Sequence, residues 1–182
     1  MGADVPGGGW AMLKLVGALL LTAGASALGL CAAGQLRDRV KALRSLAGGL
    51  EILGRELSFR RTAMPELMER TARQAGGPAR YLFVRCRDRL GQLGERSFGQ
   101  IWAEALEEEP ELLLGETERS VLLELGEVLG RYDADDQIAA LNRAERALGD
   151  CLARAEEEKR RLGRVYTALG VGSGAMLAIL LM

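Results

Sequence analysis

Two long stretches without a charge bracket this chain, and they constrain its fold more than any other feature. Between Lys14 and Arg37 lie the 22 uncharged residues Leu15–Leu36, and the last 18 residues, from Val165, are again uncharged. At about 1.5 Å of rise per residue, each run is long enough, or nearly so, to cross a ~30 Å hydrocarbon core as a helix. Apart from Asp4 and Lys14, every acid and base falls within Arg37–Arg164. The expected organisation is therefore a tail over residues 1–11, a transmembrane helix over 12–36, a charged domain over 37–164 and a second transmembrane helix over 165–182.

Basic residues flank both runs on the domain side: Arg37, Arg39, Lys41 and Arg44 after the first, and Arg154, Lys159, Arg160, Arg161 and Arg164 before the second. The positive-inside rule then keeps the domain in the cytoplasm, with Arg37, Arg39, Lys41, Arg44, Arg160, Arg161 and Arg164 near lipid headgroups. A rival reading is a cleaved leader, since Lys14, the apolar stretch and Ala25-Ser26-Ala27 imitate a signal peptide.

Leu and Ala supply 33 and 26 residues, whereas Val, Ile and Thr together supply 17. That balance favours helix over sheet. The absence of histidine removes the commonest general base, imidazole triads and most catalytic zinc sites. A net charge of −1 offers no electrostatic case for nucleic acid. None of the three lysines follows a glycine, so there is no P-loop. Cys31, Cys86 and Cys151 lack the spacing of a disulfide framework or metal site and read as packing residues. The acidic run Glu107-Glu108-Glu109, with Glu111, Glu116 and Glu118, reads as a solvated face, because consecutive carboxylates point around a helix instead of converging. No cofactor, no metal site and no enzymatic activity is expected.

Helix signals follow in order. Leu36, Val40, Leu43, Ala47, Leu50, Gly54 and Leu57 recur at alternating steps of four and three, a heptad seam leaving the first apolar run. Pro65 opens a short helix to about Ala75, which Gly76-Gly77-Pro78 stops. Another spans Ala79 to about Gln92, with Leu82, Phe83, Cys86 and Leu90 on one face. Ser97 caps Phe98–Glu108, which buries Phe98, Ile101, Trp102 and Leu106. A fifth covers Glu116–Leu129, with Leu122, Leu125 and Leu129 inward. Asp133 caps the last helix, with Asp136 at its third position, and Ile138, Leu141, Leu148, Leu152, Ala155 and Leu162 mark one face of it. The fold expected is all-α: a six-helix cytoplasmic bundle whose long first and last helices are antiparallel, each continuous with a transmembrane helix. In the second run, Gly170-x-x-x-Gly174 permits close helix approach.

Several of these motifs, in this order, resemble the stage III sporulation protein AB family. They are Met12-Leu13-Lys14-Leu15-Val16-Gly17-Ala18 opening a span, Leu50-Glu51-Ile52-Leu53-x-x-Glu56-Leu57, and the turn Met64-Pro65-Glu66-Leu67. Leu125-Gly126-x-x-Leu129-Gly130-x-x-Asp133-x-x-x-Gln137 and Tyr166-x-x-Leu169-Gly170 complete the pattern. The resemblance implies a non-enzymatic component of the transenvelope, secretion-like complex between mother cell and forespore in endospore formers. It implies a bundle like that of the inner-membrane platform protein of type II secretion and type IV pilus machines. The implied partners are a companion ATPase and other membrane proteins of the same complex; the basic flanks point to membrane lipids, and a homo-oligomer is left open.

Helix lengths place Ser58–Met64 and Arg131–Gln137 at the end farthest from the bilayer. There Phe59, Arg60, Arg61, Tyr132, Asp133, Asp135 and Asp136 form the candidate partner contact. Two other classes remain open on sequence alone: a two-span signalling or scaffold coiled coil, and an exported helical protein anchored at its C-terminus.

Overall fold

A computed structural model describes the backbone of residues 8–60, 63–131 and 133–181, with side chains described for residues 33–59, 63–131 and 133–165. Among the described residues it is all-helical, with six α-helices: α1 (Gly8–Arg60), α2 (Met64–Gln74), α3 (Gly77–Arg89), α4 (Phe98–Glu107), α5 (Glu116–Val128) and α6 (Ala134–Leu181). Two single 3-10 turns, Leu90–Gln92 and Pro110–Leu112, follow α3 and α4. The chain divides into two compact units, one of them Arg37–Glu158 and the other the segments on either side of it. The backbone of both uncharged runs is helical where described, within α1 and α6. Their side chains lie almost entirely outside the described residues, as do Cys31 and the Gly170–Gly174 pair's surroundings. Among the described residues, no helix is long and apolar enough to cross a membrane.

Within Arg37–Glu158 one hydrophobic cluster draws on every helix. The buried positions of α1 include Leu43, Leu46, Leu50, Leu53 and Leu57, a three-four repeat. The expected seam instead used Ala47 and Gly54, which are only half-buried. Leu46 and Leu53 displace them because short helices pack on this side of α1 as well, so its apolar stripe is wider than a two-helix seam. Gly49 illustrates the closeness: a Cβ there would stand 2.5 Å from a ring carbon of Phe83. In α6 the buried positions Leu141, Ala144, Leu148, Cys151 and Ala155 repeat in the same way, with small residues between the leucines. Arg44 reaches Glu156 at 2.5 Å, and a Cβ on Gly54 would touch Leu141 and Glu145.

The local signals explain most boundaries. Ser97 accepts from the Gln100 amide while Gln100 reaches back to the Ser97 amide, a reciprocal capping box. Asp133 accepts from the Asp136 amide at 3.1 Å and so caps α6 as expected. Pro78 does not end α2; it lies in the first turn of α3, where its missing N–H costs nothing. The amide that α3 leaves open there is met from another helix. The Ser45 hydroxyl of α1 donates to the Gly76 carbonyl at 2.5 Å and accepts from the Ala79 amide at 3.1 Å. α1 continues to Arg60, past the expected end at Leu57.

Trp102 organises the centre. Its indole N–H donates to the Leu122 carbonyl of α5 at 2.8 Å, and Phe83 and Phe98 lie with ring centroids 6.0 Å away on two sides. Gly126 of α5 packs against it: a Cβ there would fall 2.8 Å from the indole Cγ.

Candidate functional site

The candidate contact begins where the helices of the bundle turn. Gly130, at φ +89°, closes α5, and a Cβ on it would lie 3.1 Å from Phe98 Cβ and 3.8 Å from Met64 Cε. The starts of α2 and α4 and the end of α5 therefore meet at one place. Phe59, near the end of α1, is 84% exposed, far more than any other large apolar side chain described. Asp133, Asp135 and Asp136 are exposed at the start of α6, and Arg131 is occupied by Glu127 at 3.4 Å. Arg61 and Tyr132 lie outside the described residues, as does the side chain of Arg60. Their facing the aspartates is thus an expectation carried forward.

The basic residues expected near lipid are Arg37, Arg39, Lys41 and Arg44 of α1 and Arg160, Arg161 and Arg164 of α6. Arg37 is exposed, and Lys41 meets Asp38 at 3.3 Å with both side chains largely in solvent, a contact worth little. Arg160, Arg161 and Arg164 are exposed. Arg39 and Arg44 have partners within the bundle. Arg39 binds Glu118 at 2.8 Å, and the Glu118 side chain is 4% exposed. Burial alone would raise the Glu118 carboxyl. Its own backbone amide, the Arg39 guanidinium and the Cys151 thiol outweigh that and hold it below the ordinary carboxylate value.

The acidic run at the end of α4 is only in part the solvated face expected: Glu107, Glu108, Glu111 and Glu116 are exposed, whereas Glu109 and Glu118 are buried. Glu107 pairs with Arg119 of α5 at 2.8 Å, and Glu108 with Arg89 of α3 at 2.7 Å. Glu109 is buried and reached by Arg85 at 3.2 Å. Arg96 adds an ion pair to Glu104. These pairs clasp α3, α4 and α5 together. Nothing in the sequence announces them, since each depends on which helix lies alongside. Among the described residues no three metal-ligating side chains converge. Cys86 and Cys151 are free and buried, and burial pushes the Cys86 thiol up to about 12 against the lowering influence of Arg89. A thiol so placed is not a nucleophile. A groove of about 220 Å³ between α5 and α6 is lined by Val121, Leu125, Ala140, Ala144 and Ala147, with Glu124 and Arg143 also on its wall.

The described residues thus define an all-helical bundle protein whose buried charge is consumed in structural pairs and whose most exposed apolar side chain stands at a helix end. The family model for stage III sporulation protein AB matches residues 14–182, and the chain belongs to that family. It is 28% identical over 172 residues to stage III sporulation protein AB of Bacillus subtilis (strain 168), covering 94% of this chain and 100% of that protein. A solved structure of a stage III sporulation protein AB superposes with a TM-score of 0.60 at 26% identity, covering 68% of this chain and 98% of the other. Membership supports a role in sporulation.

Proposed function

We propose that this chain is a non-enzymatic membrane platform or adaptor in the transenvelope, secretion-like complex between mother cell and forespore, with its bundle in the mother-cell cytoplasm. The observation that carries the reading is the register of α1 against α6. Arg44 meets Glu156 while Gly54 meets Leu141 and Glu145, so residue numbers rise along one helix as they fall along the other. That register supports an antiparallel pair, with Arg37 and Glu158 leaving the bundle at one end toward the two uncharged runs. In this reading both runs span the membrane, and Arg37, Lys41, Arg160, Arg161 and Arg164 face headgroups, each adding about 1 kcal/mol of membrane affinity.

The far end then carries the partner contact. Phe59 is the apolar anchor, Arg60 and Arg61 next to it in sequence supply positive charge and Asp133, Asp135 and Asp136 negative charge, and the companion ATPase docks there from the cytoplasm. Exposed aromatic and arginine side chains together are the composition of interface hot spots. Reporter fusions at both termini and at Gly94 test the topology: a cytoplasmic Gly94 with termini on the other side is expected, and an exported Gly94 refutes it. A mature N-terminus at Leu28 by mass spectrometry would refute the uncleaved first span. Charge reversal at Arg60 and Arg61 should abolish co-purification with the ATPase while leaving thermal stability unchanged. Undiminished co-purification leaves those arginines without the assigned role.

A further inference from the structure

Two features of the bundle are each incomplete on their own. Phe59 stands 84% exposed near the end of α1, whereas Leu57, two residues earlier, is buried. Two residues turn a helix by about 200°, so the ring points away from the core that Leu57 enters. The second feature is the groove between α5 and α6. Ala140, Ala144 and Ala147 form its α6 wall, spaced by four and three so that they share one face. Their methyl groups are too short to close on Val121 and Leu125 of α5, which leaves the space open. Well-packed interiors keep few voids larger than a water molecule, so an apolar groove of this size is one its own chain leaves unfilled.

Knob and groove match in size and in charge. The groove holds about 220 Å³, more than the roughly 150 Å³ of an apolar cavity that takes up benzene, so a phenyl ring fits. Glu124 of α5 and Arg143 of α6 stand exposed on its walls, and neither has an ion-pair partner among the described residues. Arg60 and Arg61 follow Phe59 directly in the chain, so the ring brings two positive charges with it. Glu124 attracts them and Arg143 repels them, which sets the sense in which the ring enters. Phe59 is in solvent, so it does not occupy the groove of its own chain. The occupant that carries both this ring and these charges is a second copy.

We propose that the chain associates with itself by inserting Phe59 of one copy into the α5–α6 groove of another, with Glu124 at the groove meeting the incoming Arg60 and Arg61. Knob and groove are different surfaces, so two copies exchange them reciprocally or a ring of copies passes them round. Phe59 seated in a neighbouring copy is closed to the ATPase, so the two contacts exclude each other. The self-association stands without the ATPase reading.

The test uses the full chain, purified alone in detergent as a mixture of isotopically heavy and light protein. Phe59→azidophenylalanine, which keeps the aromatic ring, is activated by light and its attachment is mapped by mass spectrometry. Heavy-to-light links should form, ending within residues 121–125 or 140–147. Links that end elsewhere overturn the proposal, and so does an absence of links between copies. Sedimentation reads the strength of the contact. Phe59→Ala should weaken association about tenfold or more, as loss of an interface anchor does. Glu124→Arg should weaken it, as should Arg60→Glu with Arg61→Glu, and combining the two changes in one chain should restore it. Phe59 and Glu124 are exposed, so their variants should keep the thermal midpoint of the parent. A chain that stays monomeric at every concentration, or a combined variant no stronger than its parts, overturns the exchange. The ATPase is absent throughout, so failure here leaves its docking at the same helix end standing.

Discussion

Replacing Gly126 by alanine isolates the packing around Trp102. Two effects oppose each other. Alanine in place of glycine inside a helix is favourable by up to about 1 kcal/mol, because the unfolded chain has less freedom to lose. Against that, the new methyl would stand 2.8 Å from the indole Cγ and 3.2 Å from Cβ. The ring has nowhere to go: its N–H is bonded to the Leu122 carbonyl, and Phe83 and Phe98 flank it. Overpacking of a tight core costs about 1–3 kcal/mol. The matched control is Gly149→Ala, an exposed position in α6 where a Cβ meets nothing within 4 Å, so only the favourable term acts. Thermal unfolding followed by tryptophan fluorescence reads both. Gly149→Ala should raise the midpoint and Gly126→Ala lower it, and the gap between them should be about 1–3 kcal/mol, or several degrees at roughly 2–4 °C per kcal/mol. Equal shifts for the two variants would show that Trp102 is not pinned and that the described centre is looser than its hydrogen bond implies.

Leu50→Ala, at a fully buried position in α1, should cost about 2–5 kcal/mol in a denaturation experiment; an unchanged midpoint would refute the seam. Arg39→Ala should destabilise by about 1–3 kcal/mol through the unpaired Glu118 carboxylate it leaves. Because the folded Glu118 carboxyl is held below its unfolded value, its stabilisation is present above pH ~4.5 and is lost as pH falls through the folded value. Glu118→Gln should therefore flatten the acid limb of a stability-versus-pH curve, and an unaltered limb would remove Glu118 from that role. Cys86, buried and with its thiol pushed up to about 12, should resist alkylation at pH 8 until the bundle unfolds; rapid labelling of the native chain at this residue would contradict its burial.

Helix identity and order were legible because each helix carries its own signals within a few residues. Ser97 and Asp133 begin helices through bonds to amides three positions on, and the inward faces of α3, α4 and α5 repeat at helical spacing. The two uncharged runs, the lack of histidine and the family motifs are likewise properties of the chain read in a line. What the linear reading lacked was every interaction between residues far apart in sequence. Ser45 caps α3 from 34 residues away, and Arg39 meets Glu118 across 79. Glu107, Glu108 and Glu109 look like a solvated row until Arg119, Arg89 and Arg85 are laid beside them. Leu46 and Leu53 rather than Ala47 and Gly54 fill the core for the same reason: which stripe of α1 is covered depends on how many helices pack on it. Local hydrogen bonds and periodicity are decided within a turn or two of helix, whereas burial, and with it the charge state and partner of each buried carboxylate, is decided only when distant helices come together.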